Sequence, residues 1–118
     1  MNYVCLVYGE EKYLQALSKE GLAELDRRST AHDKSIEEAG KLVVAQALQS
    51  TSTSTTIRKR SGKVVMMDGP FAETREQLLG FVMIDTDSRE EALQIASEIP
   101  IAEWGTIEVR AVYDIPGS

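Results

Sequence analysis

Three short runs of this sequence are apolar at almost every position, and they constrain the fold more than any other feature. They are Tyr3–Tyr8, Leu42–Leu48 and Leu78–Ile84. Short apolar runs rich in β-branched and aromatic residues are typical of strands that are covered on both faces. The sheet that these strands form therefore needs a layer of structure on each side.

Two segments have the periodicity of amphipathic helices. The first follows Ser18 and runs to about Ala39, and residues at three- and four-residue steps share one of its faces: Leu22, Leu25, Ser29, His32, Ile36 and Ala39. The second follows a capping pattern at Asp87 or Ser88 and is stopped by Pro100. These two helices can cover only one face of the sheet.

A hairpin and an alternating strand complete the pattern. Basic residues at positions 58–60 and 63 flank Ser61–Gly62, a pair typical of a hairpin turn, and Val64–Met67 is the returning strand. Solvated charges that discourage edge-to-edge aggregation account for this basic cluster. The segment Ile107–Tyr113 alternates in the manner of a half-buried strand.

The predicted order is strand, helix, strand, hairpin, strand, helix, strand. Without the hairpin this is βαββαβ, the order of a ferredoxin-like α+β fold. Because the helices leave one apolar face uncovered, we expect a second copy of the sheet to cover it. The sequence thus predicts a single domain over residues 1–118, with an inserted β-hairpin, that forms a homodimer with the architecture of a dimeric α/β barrel.

The charge of the chain disfavours several kinds of partner. Its 118 residues carry a net charge of −6, whereas nucleic acid and anionic lipid surfaces are bound by clustered Lys and Arg. No run approaches the ~18 apolar residues of a membrane helix, and the first residues do not have the pattern of a signal peptide. The single cysteine, Cys5, cannot form an internal disulfide. We therefore expect a cytoplasmic protein that binds neither nucleic acid nor membrane.

The segment Asp68–Leu78 is the most distinctive motif. It reads Asp-Gly-Pro-Phe-Ala-Glu-Thr-Arg-Glu-Gln-Leu, and its Gly-Pro pair predicts a sharp turn among charged side chains. The run closely resembles the signature of DGPF-domain proteins in the YCII-related family, and the resemblance extends over nearly the whole chain, including Glu38–Gly40 and Gly105–Arg110. It implies a ferredoxin-like fold, a dimeric α/β barrel and a bacterial cytoplasmic protein. DGPF-type proteins are often encoded beside extracytoplasmic-function sigma factors, so the resemblance also implies a sigma-factor link.

Two positions depart from the family pattern. Leu79 stands where many relatives have a second glycine, and Ala111 stands where they have a proline. The YCII branch has been suggested to use a His-Asp pair. When the chains are aligned through residues 38–40, that histidine falls nearer Ser29 than His32, so the resemblance assigns no catalytic pair to this sequence.

Two residues are candidates for proton transfer. His32, the single histidine, lies on the apolar stripe of the first helix, where it is either a general base or a hydrogen-bonded, partly buried side chain. Asp33 points about 100° away from it along the helix and is not an obvious orienting partner. Asp68 either caps the Gly-Pro turn or projects a carboxylate into a pocket.

Five residues are candidates for substrate binding. Tyr8 offers a hydroxyl at the end of the first strand, and Phe71 is either a pocket wall or a core residue. Arg75 and Glu76 either form surface pairs or contact a ligand, and Arg110 is either paired or holds a carboxylate. The sequence contains no metal-ligand spacing, phosphate loop or dinucleotide fingerprint, so we expect no cofactor and no metal.

The sequence therefore predicts a barrel pocket beside the Gly-Pro turn that binds a small anionic molecule. One hypothesis is a cofactor-free acid/base enzyme, in which His32 or Asp68 moves the proton and Arg110 or Arg75 holds the negative charge. An alternative is a non-enzymatic regulatory module associated with a sigma factor, and a third is a structural dimer without a ligand. The sequence alone does not decide whether the chain is an enzyme.

Overall fold

Six strands and three α-helices follow one another along the chain. The computed structural model describes all 118 residues. The elements are β1 (Asn2–Gly9), α1 (Glu11–Ala16), α2 (Lys19–Glu38), β2 (Leu42–Ala47), β3 (Thr55–Arg60), β4 (Lys63–Asp68), β5 (Gln77–Asp85), α3 (Arg89–Ser97) and β6 (Thr106–Ala111). Two 3-10 turns, Thr51–Thr53 and Pro100–Glu103, precede β3 and β6. The predicted order is present, with α1 as an additional helix.

Four strands form an antiparallel sheet in the order β2–β5–β1–β6. Strand β1 pairs with β5 on one side and β6 on the other, and β2 pairs with the far edge of β5. This topology is compatible with a ferredoxin-like α+β fold, so the coarse prediction of the fold is confirmed. Strands β3 and β4 form a separate two-stranded sheet, as predicted for the hairpin, and the strands of one chain do not close into a barrel.

The core lies between the four-stranded sheet and the helices α2 and α3. Alternate residues of the central strands are buried on this side: Tyr3, Cys5, Val7, Val82 and Ile84. The helical layer and the turn after it contribute a second set: Ile36, Ala92, Ala96 and Ile99. Cys5 is fully buried, and its burial raises the pKa of the thiol to about 11. A thiol held in its neutral form packs as a small apolar side chain.

The opposite face of the sheet has no helix over it. Strand pairing places Val4 beside Met83 and Leu6 beside Phe81 on this face, where all four side chains are half-buried. The chain measures 47 × 47 × 19 Å along its principal axes, and 19 Å is enough for one sheet and one helical layer. The prediction that the strands are apolar on both faces is therefore confirmed for β1 and β5, and this chain covers only one of the faces.

Side-chain caps fix where the two longer helices begin. The hydroxyl of Ser18 accepts a hydrogen bond from the Gly21 amide at 3.0 Å, and Ser88 accepts one from the Glu91 amide at 3.1 Å. Both caps occur where the sequence predicts them. Neither helix is long and apolar enough to cross a membrane, nor is α1.

Helix α1 was not predicted, because its six residues have no capping side chain and bury no residue. Contacts with other elements position it instead. The ring of Tyr13 stacks on that of Trp104, with ring centroids 4.2 Å apart and planes inclined by 22°. The helix is therefore a tertiary feature rather than a consequence of local periodicity.

Candidate functional site

A cleft lies between α2 and the sheet. Its volume is about 160 Å³, and it is open to solvent on one side. Helix α2 contributes the polar side chains of Ser29, His32 and Asp33. Apolar side chains and backbone atoms form the floor and the end wall of the cleft. These residues are Val7, residues 45–47, residues 79–82 and residues 99–101. A small polar cluster thus faces an apolar pocket, which is the usual composition of a small-molecule site.

The spacing of the polar residues on α2 explains how they meet. Positions 29, 32 and 33 are separated by three and four residues, so they share the helix face directed at the sheet. All three side chains are half-buried, whereas Thr30 and Ala31 between them are exposed. At one end of the cleft, the guanidinium of Arg28 donates to both carboxylate oxygens of Glu103. This ion pair ties α2 to the turn that forms the end wall.

The surroundings of Asp33 perturb its acidity. Burial raises the pKa of the Asp33 carboxyl, and the neighbouring charge of His32 partly opposes this effect. A carboxylate with a raised pKa is a stronger base than an ordinary aspartate. A pKa shifted in this way inside a cleft is typical of functional sites, although structural carboxylates are shifted too.

The floor of the cleft depends on a close approach of two strands at Gly80. A Cβ atom at this position would lie 2.5 Å from the carbonyl oxygen of Gln46 and 3.1 Å from Cα of Ala47. The pairing of β1 with β5 also shifts register beside this point, between Val7 and Tyr8. The sequence predicts a bulge or a close backbone approach at this glycine, and both are present.

A second, larger chamber of about 760 Å³ lies beside the Asp68–Leu78 segment. It is bounded by α1, residues 50–52 and the loop itself, and it brings together three of the predicted substrate-binding residues: Tyr8, Phe71 and Glu76. Phe71 is 73% exposed, so it is a chamber wall rather than a core residue. The chamber lining includes Glu11 and Glu73 as well, and it contains no lysine or arginine.

Hydrogen bonds of Glu11 join the three walls of this chamber. Its carboxylate accepts from the Ser50 hydroxyl at 2.7 Å and from the Thr51 amide at 3.0 Å. Its own amide donates to Oε1 of Gln77 at 2.9 Å. Burial opposes ionisation of Glu11, but the hydrogen bonds from Ser50 and Thr51 outweigh it, and the pKa of this carboxyl is lowered. Glu11 therefore has a structural role that the sequence did not indicate.

The remaining predicted site residues lie outside both cavities. Nε of Arg75 donates to Glu10 at 3.0 Å, and the Arg75 side chain is 91% exposed. Asp68 is exposed at the end of β4. Arg110 pairs with Val4 across β1 and β6 and therefore lies on the face of the sheet opposite the α2 cleft. Within one chain, then, His32, Asp68 and Arg110 occupy three separate places.

Comparison with known proteins identifies the family. The model of the YCII-related domain matches residues 1–116. The chain belongs to the YCII-related family. It is similar to an uncharacterized protein, R00369, of Rhizobium meliloti (strain 1021): the two are 42% identical over 112 residues, which cover 93% of this chain and 90% of that protein. The family resemblance predicted from the sequence is confirmed.

In this YCII-related chain, the cleft contains a histidine and an aspartate that the sequence pattern does not pair. Adjacent residues on a helix point about 100° apart, which argued against a joint role for His32 and Asp33. The helix face above the cleft is wide enough to present both side chains, with Ser29 one turn earlier. Three polar residues at positions i, i+3 and i+4 on the sheet-facing stripe were the signal for this cluster.

Proposed function

We propose that this YCII-related chain binds a small molecule in the cleft beneath α2 and transfers a proton there without a cofactor. The single observation that supports this proposal is the placement of Ser29, His32 and Asp33 over an apolar floor in a cleft of about 160 Å³. A cavity of roughly this volume holds a molecule the size of benzene. The volume thus limits the ligand to a compact molecule, and proton transfer to a base favours an organic acid or a carbonyl compound, whose negative charge develops on oxygen.

Each of the three side chains has a chemical role in the proposal. Asp33, whose pKa is raised by burial, removes a proton from the substrate. His32 donates a hydrogen bond from its imidazole N–H to the oxygen that becomes anionic when the proton is lost, and the hydroxyl of Ser29 donates a second hydrogen bond to that oxygen. This assignment keeps the anionic character of the ligand but changes the roles expected from the sequence, in which His32 or Asp68 moves the proton and Arg110 or Arg75 holds the negative charge. It adds Asp33 as the base.

The proposal includes a homodimer that forms through the open face of the sheet. Val4, Leu6, Phe81 and Met83 form an apolar surface there that the helices of the same chain do not reach. A second sheet packed on this face removes that surface from water and gives the two-layer closure of a dimeric α/β barrel. Light scattering on a size-exclusion column tests this part: we expect twice the 13.0 kDa of one chain, and a mass of one chain at micromolar concentration contradicts it.

Exchange of carbon-bound protons tests the chemistry without knowledge of the natural substrate. We expect the protein to accelerate the incorporation of deuterium beside the carbonyl of cyclohexanone in D₂O, followed by proton NMR. Asp33→Asn and His32→Ala should each reduce the acceleration at least tenfold, because general acid–base groups contribute about 10²–10⁴ in rate. Thr30→Ala, on the exposed side of the same helix, is the matched control and should leave the rate unchanged.

Binding is measured separately from catalysis. Titration with benzoate, followed by NMR of the backbone amides of residues 29–33, should shift those amides in the wild type. Ser29→Leu fills the cleft and should abolish the shifts. Benzoate binding without any proton exchange would remove the enzymatic part of the proposal and keep the ligand-binding part.

The regulatory alternative, association with a sigma factor, has weaker support on the helical layer. The large apolar side chains exposed there lie on three different helices: Tyr13 on α1, Leu22 on α2 and Leu93 on α3. A protein-interaction module is expected to present a continuous apolar patch. The longest run of exposed apolar side chains lies on the β3–β4 hairpin instead.

A further inference from the structure

The β3–β4 hairpin makes no hydrogen bond to the helices or to the four-stranded sheet, and its base is closed by its own flanking residues. The Gly69 amide donates to the Ser54 carbonyl at 2.7 Å, and the Thr56 hydroxyl donates to the Gly69 carbonyl at 2.8 Å. Beyond these contacts, its two six-residue strands pair only with each other. A two-stranded hairpin without further support is marginally stable in water.

Both faces of this hairpin carry apolar side chains that nothing in the chain covers. Strand pairing places Ile57, Val64 and Met66 on one face, which we call the arm stripe. Val65 and Met67 lie on the other face with Arg58, Arg60 and Lys63, whereas Lys59 lies beside Val64 on the face of the arm stripe. The five apolar side chains are between 46% and 65% exposed. Ordinary solvated hairpins alternate apolar and polar faces, so this one has the pattern of a segment with a partner.

The shape of the chain agrees with an arm that extends away from its own body. The radius of gyration is 16.3 Å, whereas a compact domain of this length is expected to have about 13.5 Å. A six-residue strand is about 20 Å long, which accounts for an arm that extends from the body. The arm stripe therefore points to a surface outside its own chain.

Charge complementarity favours a second copy of the chain as the occupant. The tip of the hairpin carries four cations: Arg58, Lys59, Arg60 and Lys63. The rest of the chain contains nine Lys and Arg against nineteen Asp and Glu, a net charge of −10. A cationic arm on an anionic body is attracted to the body of an identical molecule, while that body repels nucleic acid and anionic lipid.

We propose that the β3–β4 hairpin is an exchanged arm, which packs the arm stripe of one chain against the body of a second copy and receives the arm of that copy in return. Reciprocal exchange across a two-fold axis buries two arms in one dimer. The inference rests on the homodimer of the proposed function and adds a contact that pairing of the open sheet faces does not require. It also explains why the basic residues cluster at the tip, where the arm reaches the acidic body.

Site-specific photocross-linking tests the exchange directly. The photoreactive residue benzoylphenylalanine replaces Met66, and the purified protein is prepared as an equal mixture of ¹⁴N- and ¹⁵N-labelled chains. After irradiation we expect a cross-linked species of twice the mass of one chain, in which peptides of the two labels are joined. The joined peptide of the second chain should come from its body.

The possible results separate the arm from the dimer. A protein that has the mass of two chains but gives no cross-link from position 66 overturns the exchanged arm and leaves the homodimer in place. A protein with the mass of one chain and no cross-link overturns both. A single chain that sediments with phosphatidylserine vesicles through the same hairpin also overturns the exchange and identifies a lipid surface as the occupant.

A pair of variants measures the contribution of the arm. Ile57→Lys combined with Met66→Lys should raise the dimer dissociation constant at least tenfold, as judged by sedimentation velocity. Ala31→Lys combined with Gln49→Lys adds the same charge at exposed positions outside the hairpin and should change it less than twofold. Fluorescence of Trp104 verifies that both variants are folded. Equal dissociation constants for the two variants would contradict the proposal.

Discussion

Helices α2 and α3 cover the same face of the sheet but contact it in different ways. Of the nine residues of α3, Ala92 and Ala96 are buried, and Ala92 is 0% exposed. Of the twenty residues of α2, only Ile36 is buried, and the residues of this helix that line the cleft are Ser29, His32 and Asp33. Small apolar residues let α3 lie close to the strands, whereas polar residues leave α2 above an open cleft.

The polar side chains of the two helices also differ in their contacts. Beside the first turn of α3, Lys41 and the buried Thr86 both donate to Oε1 of Glu91 at 2.5 Å. These bonds are the largest influences on Glu91, and its pKa is lowered. The half-buried carboxyl beneath α2, Asp33, has a raised pKa because burial dominates there. The comparison teaches that α3 is built for packing, while α2 gives up packing for a polar site.

The largest effect is expected at the floor of the cleft, with Gly80→Ala. The new Cβ would meet the backbone of β2, with the Gln46 oxygen 2.5 Å away, and backbone cannot move aside as a flexible side chain can. We expect a loss of roughly 3 kcal/mol in the free energy of unfolding, measured by urea denaturation. Gly62→Ala, with no neighbouring atom within 4 Å but a φ of +76°, is the control and should cost about 1 kcal/mol.

An intermediate effect is expected when the same large residue is placed under each helix. Ala92→Leu inserts volume into packed core and should cost about 1–3 kcal/mol. Ser29→Leu extends into the cleft of about 160 Å³ and should stabilise the protein by about 1 kcal/mol, because it buries apolar surface without overpacking. Thermal unfolding of the two variants measures the difference. Equal destabilisation by both would show that α2 is packed as tightly as α3.

The smallest effect is expected from Asp33→Asn. Because the pKa of Asp33 is raised in the folded state, the folded chain binds the proton more tightly than the unfolded chain does. Stability is then lost as the pH rises from the ordinary carboxyl value through the raised one, and the loss persists at neutral pH. At pH 7 the free energy of unfolding of Asp33→Asn should exceed that of the wild type by less than about 1 kcal/mol, since the Asp33 carboxylate is partly solvated.

The pH dependence provides the check for this last prediction. Urea denaturation should give similar free energies of unfolding for the wild type and Asp33→Asn near pH 3. Above pH 3, the difference between the two free energies should increase. If the difference in free energy of unfolding instead decreases as the pH rises, Asp33 is stabilised as a carboxylate by a partner. That result would remove Asp33 as the base in the proposed reaction.

Particular residues show how much of the site was accessible from the sequence. His32 is a candidate because it lies on the sheet-facing stripe, and Tyr8, Phe71 and Glu76 are candidates near the Gly-Pro turn; the last three do share a chamber. The angle of about 100° between neighbours on a helix disfavours Asp33 as a partner of His32, yet both residues line the cleft. The distance between a helix and a sheet decides which side chains line the cleft between them. No pattern in the sequence predicts that distance.

Local patterns determined the strands, the caps at Ser18 and Ser88, and the turn at Ser61–Gly62, where both residues have positive φ. Each of these depends on interactions within a few residues, so the sequence alone was sufficient. Tertiary structure alone decided the presence of α1, the role of Glu11 and the separation of His32 from Arg110 by the sheet. These features depend on contacts between distant segments, whose geometry is set by packing and not by periodicity.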